Sequence, residues 1–319
     1  MEESQGFVSV VVPMKNAERY VADALASILL ERDIPIEVIV VDDQSVDSSR
    51  SRVAHLSDSR IRMIEGPGRG VSACMNAGLA AVRGDVVMRC DADDLYPPGR
   101  IARQAAWLRA HPDHTAVCGS FRMIDSAGRL VAEAPCGSTP RDLTSELQQG
   151  VVLVHFGTFA VRTAAIIGLG GFREYFDSAE DIDLQLRLGT AGPVAYLPEC
   201  FYLYRLHASS LTHQQSTVAR QFFERMAHEF HGQRKSSGLD DLQRGHLPAK
   251  PPRHASGPTS ARAHIQHMLL GAAWRQHSAG QKAQALGTGL RAVVARPWTR
   301  GAWLSLLALV LKRGGRSSR

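Results

Sequence analysis

Three unbroken apolar runs constrain this chain more than anything else in it: Phe7–Val12, Ile36–Val41 and Val86–Cys90. They are rich in valine and isoleucine and do not alternate with polar residues, the pattern of strands buried on both faces. Pro13 stops the first and Asp42-Asp43 the second. Helical spacing fills the gaps. Residues 17–30 carry Tyr20, Ala24, Ser27 and Ile28 on one stripe that reaches Glu31, Asp47-Ser48-Ser49 cap a second helix, and the Gly66-Pro67-Gly68-Arg69-Gly70 loop feeds a third through Val82. Ile61–Ile64 reads as an edge strand. Strand–helix alternation of this kind predicts an α/β fold, a mostly parallel sheet with flanking helices.

Such sheets bind ligands at the carboxyl ends of their strands. Pro13, Asp42, Asp43 and Asp91 all fall there. Cys90-Asp91-Ala92-Asp93-Asp94 places three carboxylates in one short turn. Crowding them is costly unless a cation joins them. Mg²⁺ or Mn²⁺ suits the position, since each takes one or two carboxylates together with phosphate oxygens. The turn therefore points to a metal–diphosphate site, with a solvated acidic turn as the plainer reading.

Charge is divided unevenly. Residues 232–319 hold 15 Lys/Arg against two acids, whereas residues 1–231 hold 22 against 29. An enzyme of nucleic acids would be basic around its own cleft, so no nucleic-acid partner is expected. A basic tail on an acidic body fits an anionic membrane or an acidic partner, or an Arg-rich compositional bias. Five scattered cysteines without a CxxC pair argue against a disulfide framework or zinc site and fit a reducing cytosol. The acidic start, Met1-Glu2-Glu3-Ser4, does not read as a signal peptide.

Beyond the third apolar run, helices are expected over 98–111, 179–188 and 217–231. Thr115–Ile124 and Leu130–Glu133 suit a hairpin about Asp125–Gly128, with strands at Val151–Arg162, Val194–Leu197 and Phe201–Leu206. The domain boundaries expected are 1–231 for the sheet domain, 232–262 for a Pro/Gly/Ser/Arg-rich linker, and 263–319 for a basic helical C-terminal appendage. Leu286, Leu290, Val293 and Val294 form a stripe there. Ala302–Leu311 is apolar nearly all round, too short to span a bilayer, and reads first as a buried helix. Shallow membrane contact through 297–319, beside Trp298, Trp303 and the Lys312–Arg316 cluster, is the alternative.

Several segments in order resemble the inverting family 2 glycosyltransferases of GT-A fold. They are Val8–Asn16, Val40–Ser48, Asn76-Ala77-Gly78-Leu79 followed by Gly84-Asp85, Asp91-Ala92-Asp93-Asp94 as a DxD motif, Gly170-Gly171-Phe172 with Glu180–Arg187, and Tyr204-Arg205-Leu206-His207. The resemblance covers roughly residues 7–210. It implies a cytoplasmic enzyme, peripheral on the inner membrane face if the tail binds lipid, moving sugar from a nucleotide-diphosphate donor, most commonly a UDP-sugar, to a saccharide or glycolipid hydroxyl. Pro13, Asn16, Asp42, Asp43, Arg69, Asn76 and Asp91 would line the donor, Asp43 on the base or ribose. Asp93, Asp91 and His207 would reach Mn²⁺ or Mg²⁺, and Asp181 would be the general base.

Each role has a structural rival. Asp42 and Asp43 could cap a helix, Arg69 could be a surface cation, and Asn76 could anchor its own helix. His207 could be structural, and Glu180-Asp181 could offset a helix dipole. The family often has Arg before the Asn, where this chain has Met75. Asp183 is expected to pair with Arg187 at i, i+4. A nucleotidyltransferase, or an inactive relative that binds nucleotide sugar, is the alternative reading.

Overall fold

The computed structural model describes residues 7–134, 137–207, 217–251, 261–278 and 280–312. They form two compact units. The first comprises 1–121, 135–203 and 219–251, and the second 122–134, 204–218 and 252–319.

In the first unit the chain runs β1 (Val8–Met14), α1 (Val21–Leu29), β2 (Ile36–Asp42), α2 (Ser49–His55), β3 (Ile61–Glu65), α3 (Val71–Leu79) and β4 (Val86–Arg89). All four strands are parallel. β1 pairs with β2 from Val8↔Ile36 to Met14↔Asp42, and with β4 from Val8↔Val86 to Val11↔Arg89. This register sets the ends of β1, β2 and β4 on one edge. Val10, Val11, Val12, Val38, Ile39, Val40 and Val41 are wholly buried, each worth about 1.5–3 kcal/mol of transfer free energy. Helix α3 lies close on the sheet because it presents Gly78. A Cβ there would come within 2.3 Å of the Val11 side chain.

The chain continues with α4 (Arg100–Ala110), β5 (Ala116–Ile124), β6 (Leu130–Ala134), β7 (Arg141–Asp142), α5 (Thr144–Gln148), β8 (Ala160–Arg162), α6 (Thr163–Gly168), α7 (Glu180–Ala191), β9 (Val194–Arg205) and α8 (Thr217–Ser237). The sheet order is β3-β2-β1-β4-β8-β5-β9-β7, with β6 on β5 and β8 antiparallel to β4 and β5. Two expectations change here. Of the expected 151–162 strand only Ala160–Arg162 pairs into the sheet, and a 3₁₀ turn occupies Phe156–Thr158. There Gly157 lies against the Tyr202 ring, which a Cβ would meet at 2.5 Å. The two expected final strands are one continuous strand, β9.

The first residues of the expected linker, 232–237, are helical. Helix α8 runs on to Ser237, and Asp240 is fully buried, accepting hydrogen bonds from Arg173 (2.6 Å) and Arg234. Tyr175 donates to the Pro248 carbonyl at 3.1 Å. Of the expected linker, 252–260 lies outside the described residues, and 261–262 open the next helix.

In the second unit β6 returns as a hairpin about Asp125–Gly128, closed by Asp125 N–H to Arg129 O at 2.9 Å. Gly128, at φ +79°, supplies the left-handed turn residue. Helices α9 (Ala261–Ser278), α10 (Lys282–Ala295) and α11 (Arg300–Leu311) pack on one another. Their core is small: Ala273, Ala285 and Leu309, flanked by Trp274 and Leu286. The expectation of a buried last helix fails. Ala302 and Leu309 of α11 are buried, while Trp303, Leu304, Leu307, Val310 and Leu311 are exposed. The α10 stripe likewise splits, Val293 inside and Leu290 and Val294 outside.

Candidate active site at the strand ends

The site is organised by a cation that sequence reasoning missed. Arg89, last residue of β4, donates from Nε to Asp91 Oδ1 at 2.7 Å and from Nη1 to Glu180 Oε1 at 3.0 Å. One guanidinium thus joins the turn after β4 to the first residue of α7, 91 positions away. Its planar fork suits two carboxylates at once. Burial works against its charge, and Asp91 and Glu180 more than offset that. The available signal was a lone cation closing an otherwise apolar strand.

The acid turn is held from beneath. Asp91 N–H donates to the Tyr202 hydroxyl at 3.1 Å, and Tyr96 Oη donates to Arg89 O at 2.8 Å. The two rings meet edge to face at 6.1 Å. Arg100 is fully buried, 3.9 Å above the Tyr96 ring, and donates to the carbonyls of Gly157 (2.7 Å) and Phe159 (3.3 Å). His155, also unforeseen, stacks on Tyr202 at 5.1 Å and accepts the Gly157 N–H through Nδ1. That bond leaves the proton of the neutral ring on Nε2. Burial pushes the imidazole down to about 4, against the opposing pull of Asp91.

Helix α7 begins after Ala179, a non-glycine residue at φ +59°. Such a conformation costs of order 1–3 kcal/mol and persists only where surrounding structure enforces it. It directly precedes Glu180 and Asp181. Burial pushes the Asp181 carboxyl up; Arg89 opposes this, and the charge of Asp91 adds to it. Burial likewise raises Glu180, again against Arg89. Asp183 turns the other way, as expected. It is fully buried and accepts from Arg187 Nε at 2.8 Å, with Arg173 at 3.6 Å and Arg234 at 3.7 Å.

Asp43 is buried and accepts the N–H groups of Gly68 (2.7 Å) and Gly70 (3.2 Å), with Lys15 at 3.7 Å, so it fastens the glycine loop to the end of β2. Asp42 serves inside the protein. It has no exposed surface, and its two oxygens accept from Ser45 N–H (3.2 Å) and Arg50 (2.8 Å). The Asn76 side chain bonds neither its own helix nor a neighbouring strand end but the backbone of Phe172. Its amide both donates to Phe172 O and accepts Phe172 N–H, each at 2.8 Å. Arg187 donates to Leu169 O and Gly171 O, so the Gly170-Gly171 turn is pinned from two directions.

Arg69, mostly exposed, pairs with Glu174 at 2.7 Å. Pro13 is half-buried in β1. Asn16, at φ +50°, is stitched to Ser45 Oγ and Val46 N–H. Asp93 is half-buried in the acid turn. His207 follows β9 in the second unit, where it is buried.

Among the described residues no group of three or more His, Cys, Asp or Glu is arranged to hold a metal ion. The chemistry of the acid turn nevertheless fits a hard divalent cation. Arg89 engages Oδ1 of Asp91, Asp93 follows two residues on in the same turn, and Mg²⁺ commonly takes one or two carboxylates with substrate phosphates completing the shell.

The description "Glycosyl transferase family 2" matches residues 9–167. EpsE of Bacillus subtilis (strain 168), which carries a provisional glycosyltransferase name, is 30% identical over 224 residues, covering 66% of this chain and 77% of EpsE. The uncharacterized protein Rv1520 of Mycobacterium tuberculosis is 27% identical over 229 residues, covering 69% of this chain; the chain spans 65% of Rv1520. Among solved structures, S. aureus TarS 1-349 in complex with UDP-GlcNAc superposes with a TM-score of 0.55 at 23% identity, over 64% of this chain and 59% of that one, a likeness of fold. With the ordered strand-end acids and the GT-A sheet, these similarities identify the chain as a member of glycosyltransferase family 2.

Proposed function

We propose that the chain is an inverting glycosyltransferase that moves a sugar from a nucleotide-diphosphate donor, a UDP-sugar first, to a saccharide or glycolipid hydroxyl in the synthesis of surface polysaccharide or glycolipid. The observation that carries this reading is the Arg89 bridge, which ties the acid turn to the helix that bears Asp181. Binding of UDP-GlcNAc by TarS supports UDP as the nucleotide. We place the enzyme in the cytoplasm, peripheral on the inner membrane face.

In this reading the donor lies along the strand ends, its diphosphate toward Asp91 and Asp93. Asp181 takes the proton of the acceptor hydroxyl. The acceptor oxygen bonds to the anomeric carbon on the face opposite the diphosphate. The bond from that carbon to the diphosphate oxygen breaks, and its electron pair leaves with the nucleoside diphosphate. One displacement inverts the centre, so an α-linked donor gives a β-linked product. Burial of Asp181 makes it a stronger base than a solvated aspartate. A Mg²⁺ or Mn²⁺ held by Asp93 and Asp91 would offset charge on the departing diphosphate.

The test is a screen of UDP-, GDP- and dTDP-sugars with Mn²⁺ or Mg²⁺, scored by released nucleoside diphosphate. Asp181→Asn should lower turnover by about 10²–10⁴-fold, with melting temperature and UDP binding retained. Near-normal turnover in that variant removes Asp181 from its role. UDP binding without turnover of any donor, in the unmutated protein, would instead indicate a nucleotide-sugar-binding relative.

A further inference from the structure

The last helix of the second unit is built outside in. On α11, Trp303, Leu304, Leu307, Val310 and Leu311 fall within one stripe about 120° wide at 100° per residue. All five are exposed, Leu304 at 66% and Leu311 at 73%. The two buried residues, Ala302 and Leu309, lie on the opposite side of the helix. Trp298, just before the helix, is 93% exposed. A continuous apolar stripe of this kind marks an interaction surface.

Charge narrows the choice of occupant. Residues 261–319 contain ten Lys/Arg and no acid. Exposed Arg296 and Arg300 stand at one end of the stripe and exposed Lys312 at the other. Two copies meeting through this face would bring cations against cations. Among the described residues no helix is long and apolar enough to cross a membrane, and α11 spans only about 18 Å. A short helix with an apolar face, tryptophans beside it and basic ends suits the interface of an anionic bilayer, with aliphatic side chains among the acyl chains and cations among the headgroups.

We propose that the Trp303–Leu304–Leu307–Leu311 face of α11, with Trp298, docks in the plane of an anionic lipid membrane. This gives residues to the membrane placement proposed above and rests on nothing in the sugar-transfer chemistry, so lipid binding and turnover can fail separately.

The experiment is flotation of the full chain with phosphatidylcholine vesicles, with and without phosphatidylglycerol. Binding is expected on the anionic vesicles, weakening as salt is raised, with a blue shift in tryptophan emission. The Leu304→Glu/Leu307→Glu double variant should bind at least about tenfold more weakly with its melting temperature unchanged, since both positions are exposed. A second variant, Arg296→Ser/Arg300→Ser, should lose preference for the anionic lipid. Failure of the parent chain to float at low salt overturns the proposal, as does equal flotation of the double variant. A concentration-dependent dimer that dissolves in the double variant, without vesicle binding, also overturns it and assigns the face to a second copy.

Discussion

The strand-end rim and the three C-terminal helices depart from ordinary packing in opposite ways. The rim takes charge largely out of water: Glu180 is buried, Arg89 and Asp91 are mostly so, and Arg89 pairs with both. The helices leave grease in water, with most of the large apolar side chains of α11 exposed. Burying ions costs several kcal/mol per ion before pairing repays it. Exposing leucines forgoes about 1.5–3 kcal/mol each. Neither arrangement is the cheapest way to hold a fold together, and each identifies a surface shaped for something other than stability. At the rim the proposed reading is an anionic donor and a proton to be moved; at the helices it is the proposed lipid surface.

The sharpest break in this contrast comes from Arg89→Met. Two carboxylates then lose their shared cation, and stability should fall by about 3–5 kcal/mol in urea unfolding. A loss under about 1 kcal/mol would mean the bridge is dispensable. Asn76→Ala should cost less, about 1–3 kcal/mol, since it strands the N–H and carbonyl of buried Phe172.

Next in size is a pH effect. Glu180 and Asp181 are raised in the folded state, so folding favours their protonated forms. Their contribution is fully present below the ordinary carboxylate range and declines as pH rises through the raised values. The Glu180→Gln/Asp181→Asn variant should therefore gain stability relative to the parent as pH climbs from acid toward neutral, read by melting temperature across that window. A constant difference would show that the pair does not titrate there. Turnover in the parent should rise over the same window as Asp181 loses its proton.

The smallest effect belongs to the helices. Leu307→Ser should change stability by no more than about 0.5 kcal/mol, because the side chain is already in water. A large loss would show the α11 face to be covered.

Legibility in sequence followed the same division. β1, β2 and β4 could be read because a strand buried on both faces leaves an uninterrupted apolar run. Asp91, Asp93 and Asp181 could be read as acids at element ends. The reading could not see that Asp42 is satisfied by Arg50, eight residues on, or that Asn76 serves the backbone of Phe172. Both facts depend on partners that folding supplies. His155 and Tyr202 were missed for the same reason, since their stacking joins segments 47 residues apart. Over 151–162 the apolar run gave no sign of the 3₁₀ turn at Phe156–Thr158, where Gly157 lets the Tyr202 ring, distant in sequence, lie against the backbone. α11 failed differently: a helix apolar nearly all round does not reveal which side its neighbours cover.

The Arg89 bridge also bears on the order in which the protein can be made. A ribosome adding about 5–20 residues per second delivers Glu180 roughly 5–20 s after Arg89. Through that interval the nascent amino-terminal sheet has its guanidinium and the Asp91 carboxylate, but neither the glutamate nor the helix they await. The proposed centre thus cannot assemble until translation has passed Asp181, and a product truncated before α7 should form its parallel strands without gaining that centre.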